Sequence, residues 1–271
     1  MKKPRVGIYG LTSCAGDQLA ILNCEDELVS LASSLDIRSW VMAQTVNDEE
    51  TELELALVEG VVATERDLET LRSVRERAKV LIAIGTCAVW GGVAAMKNHL
   101  SRKQMREIVY GDRAHHMVDT NKALPLKAVV DVEFELPGCP IEKHQFLTMI
   151  GSLLHGDFPE FQQVPVCSEC KMAENECLLV HGGEACCGSL TMAGCGARCP
   201  SLNVPCVGCH GPVEEAHYNA NYRALRAQGI SKDDIQRKMG IFASPAWMPK
   251  VLVNDEPLGG NGKGVDHVKT N

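Results

Sequence analysis

The chain has 271 residues, 45% of them hydrophobic and 4% aromatic, with a formal net charge of −8. The length allows one or two domains with a real core, the acidic balance argues against a nucleic-acid backbone as partner, and the scarcity of aromatic residues argues against stacking on bases. No apolar run approaches the roughly 18 residues needed to cross a bilayer, so no membrane span is expected, and nothing after Met1-Lys2-Lys3 looks like a cleaved leader.

Residues 5–10 (RVGIYG) make a short β-rich run closed by glycine, and 11–17 make a polar loop holding Cys14. Apolar Leu19, Leu22, Leu28, Leu31 and Leu35, with acidic residues between them, predict a helix over 18–35. Strands are predicted at 37–44 and 53–62, the second broken by Glu59-Gly60. A helix over 65–78 turns Leu68, Leu71 and Val74 to one face. The unbroken apolar run 79–84 reads as a strand buried on both faces, and it ends in Gly85-Thr86-Cys87. A weakly patterned helix is expected over 101–110. A fifth strand over 126–136 ends in Pro137-Gly138-Cys139-Pro140. A helix over 142–155 points Phe146, Leu147, Ile150, Leu153 and Leu154 inward.

Strands alternating with helices predict a parallel α/β sheet, and the length and order suit a flavodoxin-like doubly wound domain over 1–156. Residues 157–165 (DFPEFQQVP) read as a linker. A small irregular, ferredoxin-like iron–sulfur domain is expected over 166–245, with short helices at 218–228 and 231–239. The remainder, 246–271, reads as a tail. From residue 254 on it is polar and glycine-rich, either disordered or an arm laid on a partner.

Nine of the thirteen cysteines lie between Cys167 and Cys209. Cys167 and Cys170 form one CxxC pair, and Cys206 and Cys209 form another. Between them stand Cys177, the doublet Cys186/Cys187, Cys195, and Cys199 followed by Pro200. A cysteine followed by proline after close-spaced cysteines is a feature of ferredoxin-type cluster binding. Eight thiolates suit two cubanes: Cys167, Cys170, Cys177, Cys186, Cys195, Cys199, Cys206 and Cys209. The spare cysteine is one of the adjacent pair Cys186/Cys187, because neighbouring side chains rarely reach one cluster together. A zinc ribbon would use only the two CxxC pairs and leave five cysteines idle. A disulfide framework suits small secreted domains, which this is not. Thirteen cysteines without export imply a reducing compartment, here the cytoplasm.

Cys14, Cys87 and Cys139 each follow a predicted strand. In an open α/β sheet such loops converge on one crevice, so the three form a second candidate metal site. Flanking Gly16, Gly85 and Gly138 let the backbone approach a bulky inorganic core. The alternative is three buried structural cysteines. Cys24 lies inside a predicted helix and reads as structural. Glu59, beside Gly60, either faces the crevice in a proton-relay or hydrogen-bonding role or sits in a solvated turn.

Thr12-Ser13-Cys14-Ala15-Gly16-Asp17, Gly85-Thr86-Cys87-Ala88 and Pro137-Gly138-Cys139-Pro140 resemble the proximal-cluster motifs of NiFe-hydrogenase small subunits. The block through AGCGARCPS and PCVGCHGP resembles the multimeric group of sulfhydrogenase, methyl-viologen-reducing and coenzyme F420-reducing enzymes. The common form of the first motif is CxxC, and Asp17 stands where its second cysteine would be. By this resemblance Cys14, Asp17, Cys87 and Cys139 hold a proximal cluster, the first of three 4Fe–4S clusters. A carboxylate is a harder iron ligand than thiolate. The competing role for Asp17 is N-cap of the following helix. His181 and His210 lie in the cysteine block, but eight cysteines make a histidine ligand unnecessary.

The resemblance implies an electron-transfer subunit. A NiFe-hydrogenase large subunit would split H2, and this chain would relay electrons to a flavin or iron–sulfur acceptor subunit, or in the reverse direction to protons. A complex I-like cluster subunit shares the expected fold. It uses adjacent cysteines at the first strand tip and lacks the second cluster domain, and neither fits Ser13-Cys14 or the block from Cys167. A non-enzymatic redox or H2 sensor on the same scaffold is the other alternative.

Overall fold

The computed structural model describes residues 3–116 and 121–252. Its first half alternates strands and helices: β1 (Arg5–Gly10), α1 (Gly16–Leu22), α2 (Glu25–Ser34), β2 (Asp36–Trp40), β3 (Leu53–Glu59), α3 (Glu65–Arg77), β4 (Ala78–Ile84), α4 (Gly85–Trp90), α5 (Arg102–Tyr110), β5 (Phe134–Leu136) and α6 (Lys143–Leu154). The five strands form one parallel sheet in the order β2-β1-β3-β4-β5. This is the doubly wound order of flavodoxin-like sheets.

Register places Gly10 beside Glu59, Glu59 beside Ile84, and Ile84 beside Leu136. The carboxyl ends of β1, β3, β4 and β5 therefore lie level along one edge. Successive side chains of a strand point to opposite faces. Ile8, Leu57, Ile82 and Ile84 pack on one face with Ile21 of α1 and Phe146, Met149 and Ile150 of α6. Tyr9, Ala56, Val58, Leu81 and Ala83 pack on the other with Leu71 and Val74 of α3 and Ala88 and Val89 of α4. Burial on both faces is why the run 79–84 carries no alternation.

The expected helix over 18–35 is two helices. The chain breaks at Asn23, whose N–H returns to the carbonyl of Leu19 while that of Cys24 returns to Ile21, and the break turns Cys24 fully into the core. β2 stops at Trp40, short of the expected 44, where the N–H of Trp40 donates to the Asn47 side chain. β3 stops at Glu59 because Gly60 adopts φ +94°. The fifth strand is only three residues long, not eleven. Leu126–Ala128 is a 3-10 turn after Pro125. The Glu133 carboxylate then takes the N–H of Leu81 at 2.6 Å, so the ladder starts only at Phe134. Along α6, Leu154 is exposed and Met149 is fully buried in its place. The stripe runs 146, 149, 150, 153 at helical spacing, and Leu154 falls beside it.

The cysteine segment holds two short helices, α7 (Val166–Met172) and α8 (Arg198–Ser201), joined by loops. α9 (Tyr218–Ala227) follows as expected. The expected helix at 231–239 is instead α10 (Lys232–Leu252), interrupted by non-helical Ala243. Its residues Ile235, Met239 and Trp247 bury against Leu190 and Leu225. It also packs back on α4 and the 3-10 turn Val93–His99, and it continues past residue 245, where the cysteine segment was expected to end. The stretch from 254 on lies outside the described residues. Among the described residues no helix is long and apolar enough to cross a membrane.

Leu57 is fully buried and Val29 is 78% exposed. Leu57→Ala should destabilise the chain by about 2–5 kcal/mol, and Val29→Ala by no more than about 0.5 kcal/mol. Chemical denaturation of the two variants beside the parent checks the layering.

Candidate metal centres

The three strand-tip cysteines meet where the register predicts. Cys14 lies between β1 and α1, Cys87 in the first turn of α4 after β4, and Cys139 just after β5. Asp17, the second residue of α1, is 8% exposed. Its Oδ1 accepts the N–H of Ile141 at 2.9 Å, which joins it to the Cys139 loop. Its other oxygen lies against Gly85, where any Cβ would overlap it, and Gly85 has φ +82°. One carboxylate thus touches the loops that carry both other cysteines. Asp17 does not cap α1: the N-cap is Ala15, with no side-chain cap bond. The N–H groups of Asp17 and Gln18 go instead to Glu59, which is fully buried and faces the crevice rather than a solvated turn.

Burial raises Asp17 to about 7, against the pull of the Ile141 N–H and with a further push from Glu59. Burial also pushes Cys87 up to about 12, helped by Cys139, Asp17 and Cys14. Cys139 rises to about 11 for the same reasons. The charged neighbours acting on these three groups are all acidic. Four acidic donors forced together in this way fit a group of net positive charge, because a cation nearby favours the ionised form.

The cysteine segment resolves into groups. Burial and then Cys186, Cys170 and Cys177 push Cys167 up to about 11, and Cys186 is raised by burial and then by Cys177 and Cys170. Cys209 is pushed up to about 12 by burial and then by Cys195, Cys199 and Cys139. Cys206 sits at the border. Its N–H donates to Cys186 Sγ at 3.3 Å, its own Sγ lies 3.7 Å from Thr191 Oγ1, and the thiols that act on it are Cys187 and Cys186. Cys187 turns away from its neighbour Cys186 into the core of Leu190, Leu225 and Trp247. Cys24 likewise packs in the core. His181 is exposed, and His210 is buried, which lowers its affinity for a proton.

Residues without a cysteine signature join these groups. The buried Thr86 hydroxyl accepts the N–H of Gly138 at 3.0 Å and donates to the carbonyl of Cys209. It ties the Cys87, Cys139 and Cys209 loops to one another. Glu169 of α7 accepts the N–H groups of Gly194 and Ala197 at 2.9 and 3.2 Å, which bridges the Cys167 helix to the Cys195 loop. Trp247 lies against Gly208 and Trp90 against Gly211, where added Cβ atoms would overlap the rings. An ordinary threonine, an acid inside a CxxC and two tryptophans gave no local signal. Only their contacts reveal them.

Among the described residues no three His, Cys, Asp or Glu side chains close tightly enough around a single metal ion. A four-iron cluster spreads its ligands more widely than one ion does. Its demand is four donors around a larger space, and the strand-tip set and the Cys167 set each bring four such donors near one another.

Residues 14–153 match the family described as NADH ubiquinone oxidoreductase, 20 Kd subunit. The chain is 35% identical over 239 residues to sulfhydrogenase 2 subunit delta of Pyrococcus furiosus, covering 88% of this chain and 99% of that one. It is also 35% identical over 243 residues to a chain of the vhu F420-non-reducing hydrogenase of Methanococcus voltae, covering 79% and 84%. Among solved structures, it superposes on a chain of an NAD+-reducing NiFe-hydrogenase in the H2-reduced state with a TM-score of 0.54 at 27% identity, covering 59% of this chain and 96% of that one. An actinobacterial-type NiFe-hydrogenase from Ralstonia eutropha H16 shares the fold over 100% of this chain and 95% of that one, with a TM-score of 0.56 at 16% identity. The family's described member is a complex I subunit, but the two relatives match well beyond residue 153, through the cysteine segment. The chain therefore belongs to the hydrogenase side of this family, as a NiFe-hydrogenase small subunit akin to the sulfhydrogenase and F420-non-reducing enzymes.

Proposed function

We propose that the chain is the electron-conducting subunit of a cytoplasmic NiFe-hydrogenase. It joins a large subunit that holds the NiFe site to a flavin or other redox subunit, with electrons flowing from H2 or toward protons. Cys14, Asp17, Cys87 and Cys139 would hold the first iron–sulfur cluster. Cys195, Cys199, Cys206 and Cys209 would hold the second, and Cys167, Cys170, Cys177 and Cys186 the third. Bound clusters would supply one-electron oxidation and reduction at potentials set by hydrogen bonds and burial. This division makes two domains, 1–156 and one from 166 through α10, the second carrying two of the three sites.

The observation that carries the reading is the contact between sets. Cys209 feels the Cys139 thiol, and its carbonyl accepts the Thr86 hydroxyl one residue from Cys87. Cys206 donates its N–H to Cys186 Sγ. The three sets therefore adjoin in series, strand tip first and the exposed Cys177 last. The chain's own residues set the conditions. Thr86 fixes the first junction and Glu169 the second. Cys186 rather than Cys187 serves the third set, since Cys187 is committed to the core. The segments that follow β1, β2 and β4 expose Leu19, Val41, Met42, Val93 and Met96. Exposed apolar residues of this kind are suited to burial against the large subunit.

Purified anaerobically with its partners, the chain should contain about twelve irons and matching sulfide. About four irons would remove the C-terminal sites from the proposal. Asp17→Cys should keep the first cluster and change its potential and electron paramagnetic signal, because thiolate is softer than carboxylate. Asp17→Ala should favour loss of one iron and a three-iron signal after mild oxidation. An unaltered signal in both variants would rule the carboxylate out as a ligand.

A further inference from the structure

Open sheets of this strand order bind ligands at the β1/β3 crevice, FMN included. Anionic groups such as phosphates are received there by N–H and hydroxyl donors of the loop after the first strand. In this chain those donors are already engaged. The Ser13 hydroxyl donates to Glu59 Oε1 at 2.7 Å. The N–H groups of Asp17 and Gln18 each donate to Glu59 Oε2 at 3.0 Å. Beside them, the N–H and hydroxyl of Thr12 are taken by Asp67 at 3.1 and 2.8 Å. A cleft of about 760 Å³ remains outside, lined by Thr12, Ser13, Met42, Glu59 and Asp67 among others, with its phosphate-type donors turned inward.

Glu59 is fully buried and stands on the central strand. It pairs with Gly10, which leads into the Cys14 loop, and with Ile84, which leads into the Cys87 helix. Gly10 lets the start of α1 lie close to the strand: a Cβ there would overlap the Gln18 side-chain amide. A buried carboxylate needs its lone pairs satisfied, and here one donor from the loop after β1 and two from the first turn of α1 satisfy it. We propose that Glu59 is the positioning residue of the first cluster site. Its carboxylate is an internal anion in the place a ligand's phosphate takes in related sheets, and it holds Ser13–Gln18 so that Cys14 and Asp17 face Cys87 and Cys139. The inference rests on the reading of those four residues as cluster ligands. It also gives the crevice a definite chemistry, occupied by the protein's own acid and closed to a nucleotide phosphate.

The test uses the anaerobically purified complex with Glu59→Gln and Glu59→Ala. The amide of Glu59→Gln keeps the volume but turns a donor toward N–H groups. The first-cluster paramagnetic signal should fall by at least about half relative to the other two, which serve as internal references. Hydrogen exchange over residues 11–22 should quicken by about tenfold. In Glu59→Ala, sodium formate should restore the signal and slow the exchange, and sodium chloride should not. Parental signal and exchange in Glu59→Gln would overturn the inference, whether or not Glu59→Ala assembles. Rescue of Glu59→Ala by chloride as well as formate would also overturn it. A parent complex lacking the first signal would instead refute the ligand assignment, and the exchange measurement, which needs no cluster, would still decide whether Glu59 holds the loop.

Discussion

The burial of several acidic groups at the end of one sheet is the constraint on which the rest of this structure depends. Asp17, Cys87 and Cys139 are pushed toward their neutral forms first by burial and then by acidic neighbours, Glu59 at Asp17, Cys139 and Asp17 at Cys87, and Asp17 and Cys14 at Cys139. Glu59 adds a further acid behind them. In water such a group would spread apart. Here parallel strands fix the starting points of three loops, and backbone donors hold the acids that the loops carry. Ile141 holds Asp17, and Asp17 and Gln18 hold Glu59. The arrangement stores an electrostatic demand for a cation that the side chains themselves leave unmet.

The same economy of contact governs the junctions. A single hydroxyl, Thr86, is buried between three cysteine loops and satisfies both a donor and an acceptor. Buried polar groups of this kind lock geometry because leaving either partner unpaired is costly. The Glu169 carboxylate plays a comparable part between α7 and the Cys195 loop, accepting two backbone N–H groups. Neither residue would hold iron, yet each fixes the separation of two sets that would.

Local signals made the sheet legible. β1 ends at Gly10 as its glycine predicts, and β4 is bounded by the apolar run that only a strand buried twice would carry. α5 begins after Ser101, whose hydroxyl and Gln104 form a capping box. The misreadings came from long-range partners. Val129, Val130 and Val132 are apolar because they pack against the α4 side of the sheet, and Glu133 takes the ladder donor they were expected to use. The two readings of Asp17 were locally equivalent, since an acid ahead of a helix suits an N-cap as well as a metal. What removed the cap was Glu59, a residue from another strand. The choice between Cys186 and Cys187 also lay beyond the sequence. The structure separates the two by burying Cys187 against α9 and α10.

Trp247 lies against Gly208, between the paired cysteines 206 and 209, and belongs to the last helix described. A ribosome delivers the sheet first, then the cysteine loops, and this helix after both, and chains fold from the amino end as they emerge. The Cys206–Cys209 turn is therefore made well before its cover exists. Closure of that side of the turn therefore waits on the docking of α10, so the order of manufacture, as much as the finished shape, sets when the turn is covered.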